Sequence, residues 1–481
     1  MCDVHGRQRD GRRPWVRHRP HPQEPALSTG ARAGGLRVMI VTDQYQPMVG
    51  GVPTVTEELA RGLAERGHAV AVIAPGASMR GAGTSAGGTA GTSAGDGAKP
   101  SAGEPSAGQP AVDYRGSLPW PWYEGQRLGL LSPAVAGQAI DEFAPDVLHL
   151  HSPLTLGVAA RRGARRHGVP VIYTNHYLPL NVWPAMARTA EGTGTGTVSP
   201  AARLGSRARD AAFYGFVTGF ANRCDLVTAP TATALRLLRE HGLRVPSQAV
   251  SNGVDLARFS PGARDEELRS RYALPADRPV ILSVGRLSPE KRADVLIAAL
   301  ARLGAGDIDW ASNEGGSSDG AAPVLALAGT GPEDSGLRSL ARHYGVAGRV
   351  RFLGFVPDED LPGLYRLADV FAIASQAELQ SLATMAAMAS GLPVVAVEAG
   401  ALAELVHAGE NGFLARPGRA AHVADCLDLL CRDRALRARM GKASARIIAD
   451  HDRHLLLARW ESIYRGLARR GIAEHVKVSD G

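Results

Sequence analysis

Two basic residues follow a predicted buried strand and could bind a diphosphate group. The strand Val280–Val284 is followed by Gly285, which permits a tight turn, and a helix is predicted to begin near Pro289. Arg286 and Lys291 then lie around a helix N-terminus, where free backbone N–H groups already favour an anion. Two cations at this point predict a diphosphate site without a metal ion, although both could instead be ordinary surface residues.

Glycine-rich turns after two other predicted strands could bring the backbone close to a ligand. Gly329 and Gly331 follow one of them, where they could allow such an approach or form an ordinary turn. Gly50 and Gly51 follow the first strand of the chain and could present N–H groups to a phosphate or a sugar hydroxyl. No Gly-x-Gly-x-x-Gly pattern follows that strand, which argues against a nicotinamide-dependent dehydrogenase.

Three histidines lie at the ends of two predicted strands. His149 and His151 alternate along one strand end, and His176 follows Asn175 at the end of another. Because the carboxyl ends of parallel strands face the ligand crevice, we expect His151 and His176 at the floor of a cleft. An imidazole there can bind a sugar hydroxyl or assist proton movement, and a purely structural role is the alternative.

The elements that must position these residues alternate between strand and helix. Short apolar runs bounded by turns predict fully buried strands of parallel sheets. These runs are 36–42, 69–74, 147–150, 170–174 and 226–229, and then 280–284, 324–328, 350–353, 370–373 and 393–397. With helices predicted at 54–67 and 155–167, the order indicates two doubly wound Rossmann-like α/β domains that face each other across a cleft.

Composition divides the chain further. We predict a leader at 1–34, domains at 35–258 and 259–455, and a C-terminal helix and tail at 456–481. Segments rich in Gly, Ala, Ser and Thr cannot bury much apolar area, so they are expected to be mobile surface loops, with a lid as the alternative for the second. These segments are 76–110, 189–206 and 304–322. The stretch 435–470 predicts a pair of packed helices, and a membrane-surface role for its arginines is the alternative.

Charge and cysteine usage exclude several classes of protein. Much of the net charge of +7 lies in the leader, which has seven arginines and no apolar run, so it is not a signal peptide. A disordered leader or an early start codon is expected, and a nucleic-acid-binding arm is disfavoured because aromatic residues are not interleaved. The four cysteines form no Cys-x-x-Cys pair, which favours reduced thiols in the cytosol. No apolar run reaches the roughly 18 residues of a membrane span.

Together these residues resemble the retaining glycosyltransferases of family 4, which have the GT-B fold. The resemblance runs from about residue 36 to residue 470, outside the low-complexity segments, and includes a donor-binding signature at 375–396. The matching motifs are Gly50 and Gly51, 149–151, 174–176, 251–255, 284–287 with Lys291, 352–356, and Glu378 with 391–395.

The resemblance implies that the N-terminal domain binds an acceptor and the C-terminal domain a nucleotide sugar, which is a substrate rather than a cofactor. Arg286 and Lys291 would bind the donor diphosphate, and Glu378 the hydroxyls of the donor sugar. His151 would lie near the anomeric centre, and backbone around Val356 would read the base. The implied donor site also includes Gly50, Gly51, Gly285, Gly331 and Leu382, and the implied acceptor site includes Asn175 and His176.

One position departs from the family pattern. A second Glu is expected eight residues after Glu378, where it would accept hydrogen bonds from the ribose, but this chain has Ala386. The loss of one charged, well-formed hydrogen bond costs about 1.5–3 kcal/mol. We therefore expect weakened donor binding, and the alternative is a degenerate nucleotide-sugar-binding protein with little turnover.

The resemblance implies a retaining enzyme that moves a hexose-type sugar from a UDP- or GDP-sugar to a hydroxyl of a glycolipid or a small metabolite. An epimerase or a phosphorylase on the same fold is a further alternative. Trp120, Trp122 and Trp183 could stack on the acceptor or anchor loops. We expect a bacterial cytoplasmic protein without a nucleic-acid partner, with peripheral contact at the inner membrane face if the acceptor is a lipid.

Overall fold

The computed structural model of this protein describes residues 35–48, 50–76, 108–119, 127–179, 200–303 and 322–479. Within these ranges the chain forms two parallel sheets with helices on their faces, one sheet in each half. The predicted α/β architecture of two doubly wound domains is therefore confirmed. Trp120, Trp122 and Trp183 lie outside the described residues.

The N-terminal domain contains a parallel sheet and a short antiparallel hairpin, β4 with β5. Its strands are β1 (Arg37–Val41), β2 (Ala69–Pro75), β3 (Ala111–Arg115), β4 (Ser117–Pro119), β5 (Arg127–Gly129), β6 (Val147–Leu150), β7 (Val171–Thr174), β8 (Leu226–Ala229) and β9 (Ser247–Ala249). Its helices are α1 (Gly51–Glu65), α2 (Pro133–Phe143), α3 (Thr155–Arg166), α4 (Pro200–Ala221) and α5 (Ala232–Glu240). The strand order of the sheet is β3-β2-β1-β6-β7-β8-β9.

The C-terminal half repeats this plan with a sheet ordered β12-β11-β10-β13-β14-β15. Its strands are β10 (Val280–Val284), β11 (Val324–Ala328), β12 (Val350–Gly354), β13 (Val370–Ile373), β14 (Val394–Val397) and β15 (Gly412–Ala415). The helices of this half are α6 (Glu266–Arg271), α7 (Ala293–Arg302), α8 (Asp334–His343), α9 (Leu361–Leu367), α10 (Leu382–Ala389), α11 (Ala420–Arg432), α12 (Arg434–Ile448) and α13 (Arg453–Ser479).

In both sheets the order in which successive strands are added reverses beside the first strand. Strand β1 lies between β2 and β6, and β10 lies between β11 and β13. Every residue of β1 is buried because helices cover both faces of the sheet. A crevice opens at the carboxyl end of the strands at such a switch point. The fold thus places the ends of β1, β6, β10 and β13 beside the predicted site.

Several local predictions are wrong at their boundaries. The segment 189–206 was expected to be a loop throughout, but α4 begins at Pro200. The helix expected near Pro289 is a single 3-10 turn, Pro289–Lys291, and α7 begins only at Ala293 because Arg292 adopts a left-handed conformation. Helix α1 begins at Gly51, three residues before the predicted start.

The stretch 435–470 does form two packed helices, and they pack against different domains. Helix α12 packs against α10 and α11 in the C-terminal domain, whereas α13 returns to the N-terminal domain and packs against α1 and β6. Leu457, Trp460 and Tyr464 of α13 belong to the core beneath β1 and α1. A Cβ at Gly62 of α1 would lie 2.6 Å from a methyl carbon of Leu457, so a larger residue there would require the Leu457 side chain to move. Among the described residues, no helix is long and apolar enough to cross a membrane.

A charged contact fixes α13 to the edge of the N-terminal domain. Arg66 donates a hydrogen bond to Oε1 of Glu461, and Nε2 of His68 lies 3.1 Å from the same oxygen. The side chain of Glu461 is only 10% exposed. The hydrogen bond from Arg66 is the main cause that holds the pKa of Glu461 at about 2, below its ordinary value of 4.5.

We expect Glu461→Gln to destabilise the N-terminal domain by about 1–3 kcal/mol at pH 7, because it removes a charge-assisted hydrogen bond at a largely buried site. Since the pKa of this carboxyl is depressed by folding, its stabilisation is present above pH 4.5 and is lost as the pH falls towards 2. Urea midpoints of the wild type and the variant should therefore differ more at pH 7 than at pH 4.

The control is Glu65→Gln, which removes an exposed pair with Arg61 at 3.6 Å. It should change stability by less than about 0.5 kcal/mol. Equal differences between wild type and Glu461→Gln at both pH values would contradict the role given to Glu461.

Candidate active site

A cavity of about 1850 Å³ lies between the two domains at the carboxyl ends of their strands. It is lined by loops from both sheets. Of the predicted site residues, those on its wall are Gly50, Gly51, His176, Gly285, Arg286, Lys291, Gly331, Val356, Glu378 and Leu382. The structure does not bring His151 or Asn175 to this wall.

An ion pair marks the C-terminal wall of the cavity. Nζ of Lys291 donates to Oε1 of Glu378 at 2.6 Å. Lys291 follows β10 and Glu378 follows β13, and these strands are neighbours in the sheet. The Glu378 side chain is 8% exposed, whereas the Lys291 side chain keeps 32% of its surface open to the cavity. Arg286 lies on the same wall. Two cations and one carboxylate thus converge where a phosphorylated sugar could bind.

The glycines after β11 serve the packing of two adjacent loops. A Cβ at Gly329 would lie 1.9 Å from the carbonyl oxygen of Gly285, and one at Gly331 would lie 2.2 Å from that of Leu287. The N–H of Leu287 also donates to the carbonyl of Thr330 at 2.9 Å. Only glycine therefore lets the turn after β11 support the turn that carries Arg286.

The N-terminal wall presents the start of α1. Gly50 is the N-cap residue of this helix, and Gly51 is its first residue. A Cβ at Gly51 would lie 3.8 Å from Cδ1 of Leu382, the first residue of α10 in the other domain. The loop with Gly50 and Gly51 and the first residue of α10, which is part of the donor-binding signature, thus face each other across the cleft. The positive end of the α1 dipole is directed at this space.

Two predicted histidines are in contact, but only one reaches the cavity. Nδ1 of His151 lies 2.9 Å from Nε2 of His176, and the two rings are stacked. His151 is only 1% exposed, while half-buried His176 lines the cavity. Burial lowers the pKa of His176 to about 4 and lowers that of His151 well below its ordinary value. Both imidazoles are therefore neutral at pH 7.

Deeper side chains hold this pair in place. His149 lies 2.8 Å from the hydroxyl of Tyr464 on α13 and 2.6 Å from that of Thr174. Asn175 accepts a hydrogen bond from Tyr173 at 2.9 Å and donates to the carbonyl of Tyr177 at 3.2 Å. Asn175 is thus a support of the loop that carries His176, rather than part of the cavity wall.

The position of the missing second Glu is also on the wall. Ala386 lies in α10, lines the cavity and is 5% exposed. The hydroxyl of Tyr365 donates to the carbonyl of Ala383 at 3.2 Å on the same side. A ribose next to Ala386 would meet a methyl group where the family pattern has a carboxylate.

Sequence reasoning missed two buried carboxyls near the cleft. Asp43 follows β1, accepts a hydrogen bond from Ser152, and has its pKa raised to about 6 by burial. Glu290 is 5% exposed, accepts from Ser288 and lines the cavity. The rule that selected His151, a polar residue directly after a buried strand, would also have selected Asp43. Among the described residues, no three His, Cys, Asp or Glu side chains are grouped as metal ligands.

Comparison with known protein families matches both domains. Residues 49–258 match the model described as Glycosyltransferase Family 4. Residues 264–446 match the model described as Glycosyl transferases group 1. The change from one family model to the other falls between residues 258 and 264.

Curated relatives carry glycosyltransferase names. A GDP-mannose-dependent alpha-mannosyltransferase of Mycolicibacterium smegmatis is 30% identical over 79% of this chain and 84% of its own length. The sulfoquinovosyl transferase SQD2 of Arabidopsis thaliana is 28% identical, with 68% of this chain and 58% of the relative covered. A D-inositol 3-phosphate glycosyltransferase of Nocardia farcinica is 33% identical, with 62% and 61% covered. The chain thus spans about three fifths of two of these relatives.

Solved structures share the fold. Sucrose-phosphate synthase from Thermosynechococcus elongatus aligns with a TM-score of 0.66 at 18% identity, over 90% of this chain and 99% of that chain. Anabaena HepE in complex with UDP aligns with a TM-score of 0.64 at 20% identity, over 90% and 100%. Together with the two family models and the mannosyltransferase match, the fold shows that this chain belongs to the GT-B glycosyltransferases of family 4.

Proposed function

We propose that this protein is a retaining glycosyltransferase that moves a hexose-type sugar from a UDP- or GDP-sugar to an acceptor hydroxyl. The observation that carries the proposal is the contact between Lys291 and Glu378 beside Arg286, on the wall of a cavity shared by both domains. Cations suit a diphosphate, and a carboxylate suits sugar hydroxyls. The nucleotide sugar is a substrate, and we propose no separate cofactor or metal ion.

In this proposal the protein stabilises the leaving group. The bond from the anomeric carbon to the diphosphate breaks while a bond to the acceptor oxygen forms on the same face. The acceptor proton passes to an oxygen of the departing phosphate. Arg286, Lys291 and the N-terminus of α1 stabilise the negative charge that develops there. Neutral His176 can orient a hydroxyl without adding charge, and His151 fixes the ring of His176.

The names of relatives support the choice of donor class. One relative is GDP-mannose-dependent by its name, and structures of HepE contain UDP, UDP with glucose, or UDP-glucose. Their substrates are those of other proteins, so the donor base and sugar are to be determined by experiment. We propose a glycolipid or a small metabolite as acceptor, in a bacterial cytoplasm, with peripheral membrane contact only for a lipid.

The first test is release of nucleoside diphosphate by purified protein with a panel of UDP- and GDP-sugars. One donor should give release in the presence of an acceptor pool, and Glu378→Ala should reduce it about 10- to 100-fold, as expected for the loss of a charged hydrogen bond. Lys291→Ala should reduce kcat about 100-fold by removing charge from the leaving diphosphate.

The matched control is Glu398→Gln, because Glu398 is exposed and does not line the cavity. Its activity should equal that of the wild type. Release that survives unchanged in both Glu378→Ala and Lys291→Ala would refute the proposed site.

A second candidate function is nucleotide-sugar binding with little turnover, and Ala386 on the cavity wall favours it. We expect Ala386→Glu to lower the donor KM of an active wild type about tenfold or more, since a charged hydrogen bond contributes about 1.5–3 kcal/mol. Nucleoside diphosphate release at varied donor concentration measures this. An unchanged KM would refute the ribose contact, and a variant that gains turnover from a silent wild type would favour the second candidate.

The pH dependence of the reaction provides another test. Because burial lowers the pKa of His176 to about 4, its ring stays neutral from pH 6 to pH 8. We expect kcat to stay within about twofold over this range. The His176→Gln variant should show a lower rate and a profile of the same shape. A change in kcat of the wild type with an apparent pKa near 6.5 that is absent from this variant would show instead that His176 titrates during turnover.

A further inference from the structure

The chain passes between the two domains twice, and the two crossings are paired. Val250 belongs to the N-terminal core and Val254 to the C-terminal core, so the first crossing is 250–254. The second crossing is 448–453, between α12 and α13. The N–H of Val254 donates to the carbonyl of His451 at 3.0 Å, and the N–H of Arg453 donates to that of Val254 at 3.0 Å. The crossings therefore form one connection.

Gln380 joins the donor loop, which is the segment 374–381 between β13 and α10, to this connection. Its Nε2 donates to Oγ of Ser251 at 2.9 Å, and its Oε1 accepts from the N–H of Asn252 at 2.7 Å. Nδ1 of His451 lies 2.7 Å from the same Ser251 hydroxyl. Gln380 is only 8% exposed and follows Glu378 by two residues. One buried amide thus contacts the first crossing directly and the second through Ser251.

The rest of the donor loop is held against the N-terminal domain. The hydroxyl of Thr231 donates to the carbonyl of Leu379 at 2.9 Å. Leu379 and Ala377 pack with buried residues of the N-terminal domain in a small apolar cluster. A change in the angle between the domains would therefore strain the same few residues that carry Glu378. The donor loop lies at the pivot and not at the rim of the cleft.

Resting on the proposed function, we propose that Gln380 is a positioning residue for the transfer step. By binding the first crossing directly and the second through Ser251, its amide sets the angle at which Glu378 of one domain faces His176 and the start of α1 in the other. Arg286, Lys291 and Glu378 are all in the C-terminal domain, and the N-terminal domain adds only the start of α1 to the proposed nucleotide site. Nucleotide binding therefore depends weakly on this angle. Transfer depends on it strongly, because the acceptor and the donor are held by different domains, and a displacement of about 1 Å can cost 100-fold in rate.

The test is Gln380→Met, which keeps the length of the side chain and removes both hydrogen bonds. We expect kcat to fall about 10- to 100-fold, while the Kd for UDP or GDP, measured by calorimetry, stays within about twofold. Gln138→Met makes the same chemical change at an exposed position of α2 and should leave both quantities unchanged. A loss of nucleotide affinity equal to the loss of kcat would overturn the inference, because it would show damage to the donor site itself.

Ser251→Ala provides an independent check. If Gln380 acts through Ser251, the double variant should lose no more activity than the more impaired single variant. Independent, multiplicative losses would overturn the inference. Small-angle scattering of the substrate-free proteins adds a readout that needs no turnover: we expect a larger radius of gyration for Gln380→Met than for wild type.

These outcomes separate the inference from the proposed function. An active wild type with an equally active Gln380→Met variant overturns the inference and leaves the proposed function standing. A wild type that neither binds UDP or GDP nor releases them refutes the proposed function. In that case unchanged scattering of the variant overturns the inter-domain role of Gln380 as well, and a larger radius of gyration supports it.

Discussion

The contact between Lys291 and Glu378 is the constraint on which the site depends. Two charged groups that are partly removed from water need to be paired. Lys291 and Glu378 can pair because they follow β10 and β13, which are neighbouring parallel strands. The turn that carries Arg286 on the same wall is supported where Gly329 lets two loops touch. The strand order, Gly329 and the ion pair together shape this wall. A diphosphate bound there would interact with the positive charge of Lys291 alongside Glu378.

The two walls of the cavity differ in their electrostatics for a physical reason. The N-terminal wall is built over a fully buried strand end, where His149, His151 and His176 lose water and stay neutral. The C-terminal wall carries the cationic side chains of Arg286 and Lys291. The facing wall adds the neutral ring of His176 and the N-terminus of α1, together with the charged residues Glu57, Glu58, Arg61 and Arg127. Cations and a helix N-terminus suit a reaction whose negative charge develops on the leaving group.

How far the sequence predicts the structure depends on burial. Strands with a mostly apolar, mostly buried run of residues, such as β1 and β10, were located within a residue or two. Half-buried edge strands such as β3, with no such run, were missed. Most residues that the sequence predicted for the site lie on the cavity wall in the structure. His151 and Asn175 do not, because spacing along the chain does not show which side chain at a strand end faces the cavity. The packing of α13 on the N-terminal domain could not be predicted either, because an apolar helix face does not show which surface it packs against.

Closing both crossings at one place limits how the domains can move. If the chain passed between the domains at two distant points, the two links would restrict rotation of one domain against the other. Because the crossings are paired, the domains can rotate about a single connection. Side chains near that connection can then set the angle, and Gln380 is a buried polar group that contacts it. An amide that satisfies one backbone N–H and one hydroxyl has a defined geometry, which apolar contacts alone do not impose. Gln380 lies two residues from Glu378, so the group that we propose to set the angle is adjacent to the proposed donor site.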